Sequence, residues 1–396
     1  MRSIVREFVV GAVIAGGRRK RIAKPLLFST LFLLIPLAVP APSAPSGAAS
    51  DPWEPQPYEG PELDAGSSRT QTPKKVLEAT KLIKEGKKYS LGHVYDSVMP
   101  TFPGQTWVME MKPPTQAGRQ TFNVEYFHGE VGQNGTQFDA LGHFGIQPSE
   151  GLPDPLYDPS LLKTLYHGRL TGQQVHGPTG LQRLGVEHIK PFFTRGILID
   201  IKHYFYPNES FAPDDETTIL ENVLTPQNPE KPEITMDMVR KALAVQEMSE
   251  DDIQEGDVVL FRTGWEVNWD EGTPVYYAGA PGLPGKTPGI GLEVAKWLAS
   301  KRVACVGADN WGVSAAPSKV SGDGIPETIL EPVHNELLVK HGIPHQESMH
   351  LSELAKDAAA QNAKGLGRDA YTFAYIYVPV PIAGASGSPG IPLAVK

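Results

Sequence analysis

The chain has 396 residues, with 36 Lys and Arg against 45 Asp and Glu for a formal charge of −9. The first 49 residues hold seven bases and one acid, so the remainder carries 29 bases and 44 acids, or −15; a body that acidic is repelled by phosphate backbones, which argues against nucleic-acid binding. A hydrophobic content of 40% supports a core, the lone Cys305 excludes an internal disulfide or a Cys-based zinc cage, and 40 Gly with 37 Pro favour a loop-rich α/β or β-rich body over a helical bundle.

The basic cluster Arg18-Arg19-Lys20-Arg21 precedes an apolar run of 15 residues, 25–39, that contains Pro36. A spanning helix requires ~20 apolar residues. With the small residues of 41–50 behind it, the segment 1–49 reads as a secretory signal peptide, an uncleaved anchor being the alternative. The mature protein is then expected to be exported, periplasmic or secreted, and free of the membrane. Residues 50–72 read as a flexible, proline-rich lead-in, and 73–396 as one folded domain.

Within that domain, Val76, Ala79, Leu82 and Ile83 place a helix over 74–85, closed by Gly86. Residues 89–98 alternate as a strand, and 197–201 and 258–262 read as buried strands. A Thr235 cap with Asp237 in the first turn opens an amphipathic helix over 235–248. A helix over 292–301 leads into a strand at 303–307. A short helix over 334–341 ends at Gly342, and 371–380 forms a last strand. The Gly- and Pro-rich stretches 99–121 and 266–290 read as long loops that cover a site or mediate assembly.

Polar side chains concentrate in Gln133-Asn-Gly-Thr-Gln137-Phe-Asp139-Ala-Leu-Gly-His143. On a helix, Asp139 and His143 would share one face, a spacing that suits a metal ligand or an acid/base pair and equally a surface pair or a cap.

Read with the rest of the chain, this segment resembles the signature His-x-Gly-Thr-His-x-Asp-x-Pro-x-His of the cyclase family, which includes bacterial kynurenine formamidase (arylformamidase) and isatin hydrolase. The resemblance extends through Tyr89-Ser-Leu-Gly-His93, Gly256-Asp-Val-Val-Leu-Phe-Arg-Thr-Gly264-Trp265 and Thr287-Pro-Gly289-Ile. It continues through Val306-Gly-Ala-Asp309-Asn, His334-Asn-Glu-Leu-Leu with Glu347 beyond it, and Gly387-Ser-Pro-Gly-Ile-Pro, covering residues 87–395. It implies an α/β chain with the swivelling β/β/α fold, a single large domain assembled as a homodimer or larger. It also implies metal-assisted hydrolysis of a small amide, lactam or ester, with His143 as acid/base and Asp139, His334 and Glu347 as metal ligands.

Gln133 and Gln137 stand where the signature has histidines. They can serve as weaker, harder amide ligands or simply hydrogen-bond neighbouring loops. The expectation is one divalent ion (Mn, Zn or Mg), a harder one such as Mn²⁺ or Mg²⁺ being favoured, weakly held, or none, in place of a two-zinc cluster. A metal-free binding protein, or a lyase or cyclase on the same fold, is the alternative.

Trp265, Trp269 and Trp311 can build an aromatic substrate pocket or pack in the core. Trp265, Trp311 and Asp309, the last beyond a strand end, are the candidate substrate-binding residues. His345 and His350 are expected at the surface, His128 on a loop and His93 facing the site. Cys305 is expected to be a small buried hydrophobe.

Overall fold

The computed structural model describes residues 51–58, 60–148, 163–205, 233–277, 287–316 and 329–396. The expected signal peptide lies outside them.

Nine strands make one mixed sheet: β1 (Lys88–Ser90), β2 (Gln137–Asp139), β3 (Phe192–Asp200), β4 (Val258–Arg262), β5 (Cys305–Ala308), β6 (His345–Glu347), β7 (Thr372–Tyr377), β8 (Gly387–Pro389) and β9 (Leu393–Val395). Their order across the sheet is β1-β9-β7-β3-β4-β5-β6-β2-β8. The stretch from β3 to β6 is parallel and the flanking pairs are antiparallel. Parallel strands carry crossover connections that cover their faces, so they read as unbroken apolar runs. Val258, Val259, Leu260 and Phe261 of β4 are all fully buried. Each such side chain contributes roughly 1.5–3 kcal/mol of burial.

Two helices make the crossovers around β4. The first, α1 (Met236–Val245), is capped by Thr235, whose hydroxyl accepts from the Met238 N–H, and it buries Met236, Val239, Ala242 and Leu243. The second, α2 (Leu292–Lys301), has the expected bounds and buries Val294, Ala295 and Leu298. Cys305 is buried beside them in β5.

Three expectations need correction. Residues 63–70 of the lead-in form a 3-10 helix with Ala65, Gly66, Ser67 and Ser68 buried. Its polar groups bond the body: Ser67 Oγ donates to the Ala304 carbonyl at 2.7 Å, and Asp64 takes Arg183 Nε and the Leu184 N–H at 2.9 and 2.8 Å. The strand expected over 89–98 stops at Ser90. The loop expected over 99–121 is half of a hairpin arm, in which Trp107–Met111 pairs with Glu125–Gly129 and Thr115–Ala117 with Gln120–Phe122. The arm carries His128 and exposes Val108, Met109, Met111, Phe122, Tyr126 and Phe127.

Beside the main core lies a second, aromatic cluster of Met99, Trp265, Trp269, Tyr276 and Tyr277, with Tyr95, Trp107 and Trp311 against it. Among the described residues no helix is long and apolar enough to cross a membrane.

Candidate metal centre and its cavity

The signature segment is an extended strand followed by a turn, not a helix. Gly135 has φ +71°, and a Cβ there would meet the Tyr95 ring, so the position requires glycine. Thr136 Oγ1 accepts from the His93 N–H at 2.9 Å and donates to the Ser348 carbonyl at 2.7 Å. These contacts lay β2 antiparallel to β6, with Gln137 opposite Glu347 and Asp139 opposite His345. Successive side chains of a strand point to opposite faces, so residues 137, 139, 345 and 347 share one face. Phe138 points into the core on the other.

His334 arrives from elsewhere. It ends the helical turn Pro332–His334 and leads into a π-helix over Asn335–Lys340, a distortion that recurs at functional sites. Its Nε2 stands 3.4 Å from Glu347 Oε1 and 3.9 Å from Asp139 Oδ2, and its Nδ1 3.6 Å from Glu331 Oε2.

Asp139, His334, His345 and Glu347 are all buried, and one donor atom from each lies within 4.8 Å of the others. Both Asp139 oxygens, both His345 nitrogens, His334 Nδ1 and Glu347 Oε1 are buried without a hydrogen-bond partner. Leaving such groups unsatisfied costs about 1–3 kcal/mol each, and more when they are charged. Burial, and then the Glu347 charge, pushes the Asp139 carboxyl above its usual range. Burial pulls His334 down, but the carboxylates of Glu331 and Glu347 outweigh it and lift the imidazole to about 10. His345 is driven well below its ordinary value by burial and by His334. A divalent cation would take one donor atom from each of the four residues and relieve the carboxylate repulsion, so the donor set fits one.

The cluster opens on a cavity of about 180 Å³, whose wall includes Phe102, Gln105, Phe144, Tyr277, Trp311 and Glu331. Gln133, Gln137, His143, His334 and Glu347 also line it. Phe102, Tyr277 and Trp311 touch one another, with ring centroids 5.5–5.8 Å apart. His143 is 28% exposed, with Nε2 at 3.6 Å from Asp139 Oδ2.

Of the residues singled out in the sequence, Gln133, Gln137, Asp139, His143, Trp311, His334 and Glu347 therefore surround one site. Trp265 and Asp309 do not line it. The Trp265 ring is fully buried, its Nε1 donating to the Tyr276 carbonyl at 3.1 Å. Asp309 Oδ1 accepts from Thr263 N and Oγ1 at 2.9 and 2.6 Å, and Oδ2 from the Gly264 N–H at 2.6 Å, so its carboxylate is spent holding a turn. His345, expected at the surface, is fully buried in the cluster. The signal for it was the alternation in His345-x-Glu347, which puts both on one strand face. Phe102, Gln105, Phe144, Tyr277 and Glu331 carried no sequence signal.

A second group joins His93, Glu266 and His350. His93 stacks on Trp269 at 4.0 Å. Glu266 accepts from the Leu351 N–H at 2.9 Å and the Ser352 hydroxyl at 2.5 Å, which caps the helix α3 (Ser352–Asn362). His350, expected at the surface, is half-buried against it. With its carboxylate committed to that cap, Glu266 makes this group structural.

Comparison with known proteins places this arrangement. The Cyclase family model matches residues 89–315. A solved structure described as a novel cyclase is 27% identical, covers 84% of this chain and 96% of its own, and superposes with a TM-score of 0.62. Isatin hydrolase A from Ralstonia solanacearum is 17% identical over 82% of this chain and 98% of its own, with a TM-score of 0.48. Isatin hydrolase A from Labrenzia aggregata is 16% identical over 80% and 94%, with a TM-score of 0.45. A search of curated proteins finds no match. The extent of the family match, on a mixed sheet that carries the signature segment as β2, establishes that the chain belongs to the Cyclase family.

Proposed function

We propose that the protein is a hydrolase of a small amide, lactam or ester carried on a single aromatic ring, an arylformamidase-like reaction. The observation that supports this most is one juxtaposition. The buried donor cluster of Asp139, His334 and Glu347 opens, through His334 and Glu347, on an aromatic-walled cavity, with the partly exposed imidazole of His143 at its edge. A cavity of about 150 Å³ holds benzene, so one of about 180 Å³ admits one ring with a small substituent.

Asp139, His334 and Glu347 would hold a divalent ion, which when bound lowers the pKa of a water towards neutrality and polarises a carbonyl. His143 Nε2 takes the proton from the attacking water as its oxygen bonds to the substrate carbonyl carbon. Asp139 Oδ2 stands 3.6 Å from that nitrogen. His143 then gives that proton to the departing nitrogen or oxygen as the scissile bond breaks. Phe102, Tyr277 and Trp311 bind the ring and exclude water.

The test is a hydrolysis screen of aryl formamides, lactams and aryl esters with the mature protein, run beside His143→Ala. Turnover that depends on His143 supports the reading. Turnover unchanged in His143→Ala would sink the assigned role.

Two further proposals rest on other features. Export is supported by the leader-like residues 1–49, and a full-length chain confined to the cytoplasmic fraction would count against it. Homodimerisation, or a larger assembly, is supported by the exposed apolar arm, and a monomeric sedimentation profile at micromolar concentration would count against that.

A further inference from the structure

We infer that His345 is a metal ligand and that Gln137, at a position where the family signature has a histidine, positions Glu347 instead of binding the ion. The inference rests on the reading that Asp139, His334 and Glu347 hold a divalent cation.

The β2/β6 register carries the argument. Gln137 faces Glu347 across the ladder and its Nε2 donates to Glu347 Oε2 at 2.9 Å. That bond fixes the carboxylate and leaves the other oxygen, Oε1, directed among the imidazoles, 3.4 Å from His334 Nε2 and 3.8 Å from His345 Nδ1. His345 faces Asp139 across the same ladder. Its ring is fully buried, with neither nitrogen hydrogen-bonded, and packs against the His334 ring at 4.7 Å and 67°. An imidazole wholly removed from water with both nitrogens idle is costly. Coordination through one nitrogen satisfies half of that demand.

An imidazole absent from β2 is thus supplied by the strand paired with it. The donor set becomes two imidazoles and two carboxylates, instead of one imidazole with oxygens alone. That composition suits a borderline ion such as Zn²⁺ over Mg²⁺, which prefers oxygen donors and retained waters. The inferred ion therefore differs from the harder one that the loss of both signature histidines leads one to expect.

The experiment uses the chelator-stripped mature protein and its His345→Ala, His345→Gln and Gln137→Ala variants, titrated with Zn²⁺ and, separately, Mg²⁺. Ion affinity is read by calorimetry, and the ion-induced rise in Tm by thermal melting. Loss of an outer-shell partner typically costs about 10–100-fold in metal affinity. Gln137→Ala is therefore expected within that range, and both His345 variants beyond about 100-fold for Zn²⁺, with their Zn²⁺-induced Tm rise abolished. Mg²⁺ should bind weakly to every variant. His345→Gln keeps a polar side chain of similar bulk, and its metal-free Tm shows that it folds even if His345→Ala does not. Wild-type Zn²⁺ affinity in His345→Gln, or an equal loss in Gln137→Ala, would overturn the assignment of roles. A wild-type protein that binds neither ion would overturn the metal-assisted reading as well, so the two failures are distinct.

Discussion

Glu266 and His350 form an ion pair, with Nδ1 2.8 Å from Oε2, and the carboxylate also caps α3 from 86 residues away. Burial raises the Glu266 carboxyl, but the His350 bond and charge, with Arg262 and Ser352, outweigh it and hold the group at about 2. A carboxyl held below its unfolded value stabilises the fold above that value and loses the contribution as pH falls through the folded one. The window here runs from ordinary glutamate, 4.5, down to about 2. Glu266→Gln should therefore lose about 1.5–3 kcal/mol at neutral pH. Its stability should also depend less on pH between 5 and 3 than that of the wild type. Parallel denaturant titrations across that range check both.

Replacing His143 should separate chemistry from ion binding. The side chain lines the cavity but is not among the four clustered donors. General acid–base contributions amount to about 10²–10⁴-fold. His143→Ala should lower kcat by that order on the best substrate of the screen and leave Zn²⁺ affinity as it was. A parallel fall in both would mean that His143 belongs to the ion's donor set.

Trp265 and Trp311, paired by the sequence as pocket candidates, should behave oppositely. Trp265→Ala empties a fully buried site and should cost ~3–5 kcal/mol of stability. Trp311, partly exposed and held by an Nε1 bond to Thr287 Oγ1 at 3.2 Å, forms cavity wall. Trp311→Ala should raise KM while Tm moves much less. Thermal melts beside steady-state kinetics decide the matter.

Removal of residues 51–70 should destabilise the protein, although their composition reads as a linker. The segment supplies the Ser67 and Asp64 bonds, and the Trp53 carbonyl accepts from Asn335 Nδ2 at 2.9 Å, one residue beyond His334. A truncated chain should melt several degrees lower. An unchanged Tm would show that these contacts contribute little in solution.

Local signals were readable where local physics decides. The Thr235 cap, the apolar periodicity of 292–301 and the apolar run 258–261 each specify an element with little outside help. Asp139 and His143 were legible as neighbours, but the spacing suggested a helix. The extended form is imposed by ladders with β6 and β8, more than 200 residues away in the chain. His345 was missed for the same reason: the single alternation His345-x-Glu347 places the two on one face, but the burial of that face comes from tertiary neighbours. The lead-in misled because serine and aspartate look solvent-seeking until the body offers partners, as Ala304 and Arg183 do here.

The donors of the site and the roof of its cavity belong to parts of the molecule with different mechanical character. Asp139 and Glu347 sit on strands paired on both sides, whereas Phe102 and Gln105 lie at the root of a two-stranded arm whose side chains are largely exposed. An isolated hairpin is marginally stable in water, and regions with few buried apolar contacts open at low free-energy cost. Amide exchange should accordingly be fast along 107–129 and limited by global unfolding at 137–139 and 345–347. Substrate entry should then be timed by the roof and not by the donors, and substitutions in the arm should alter residence time without altering the chemical step.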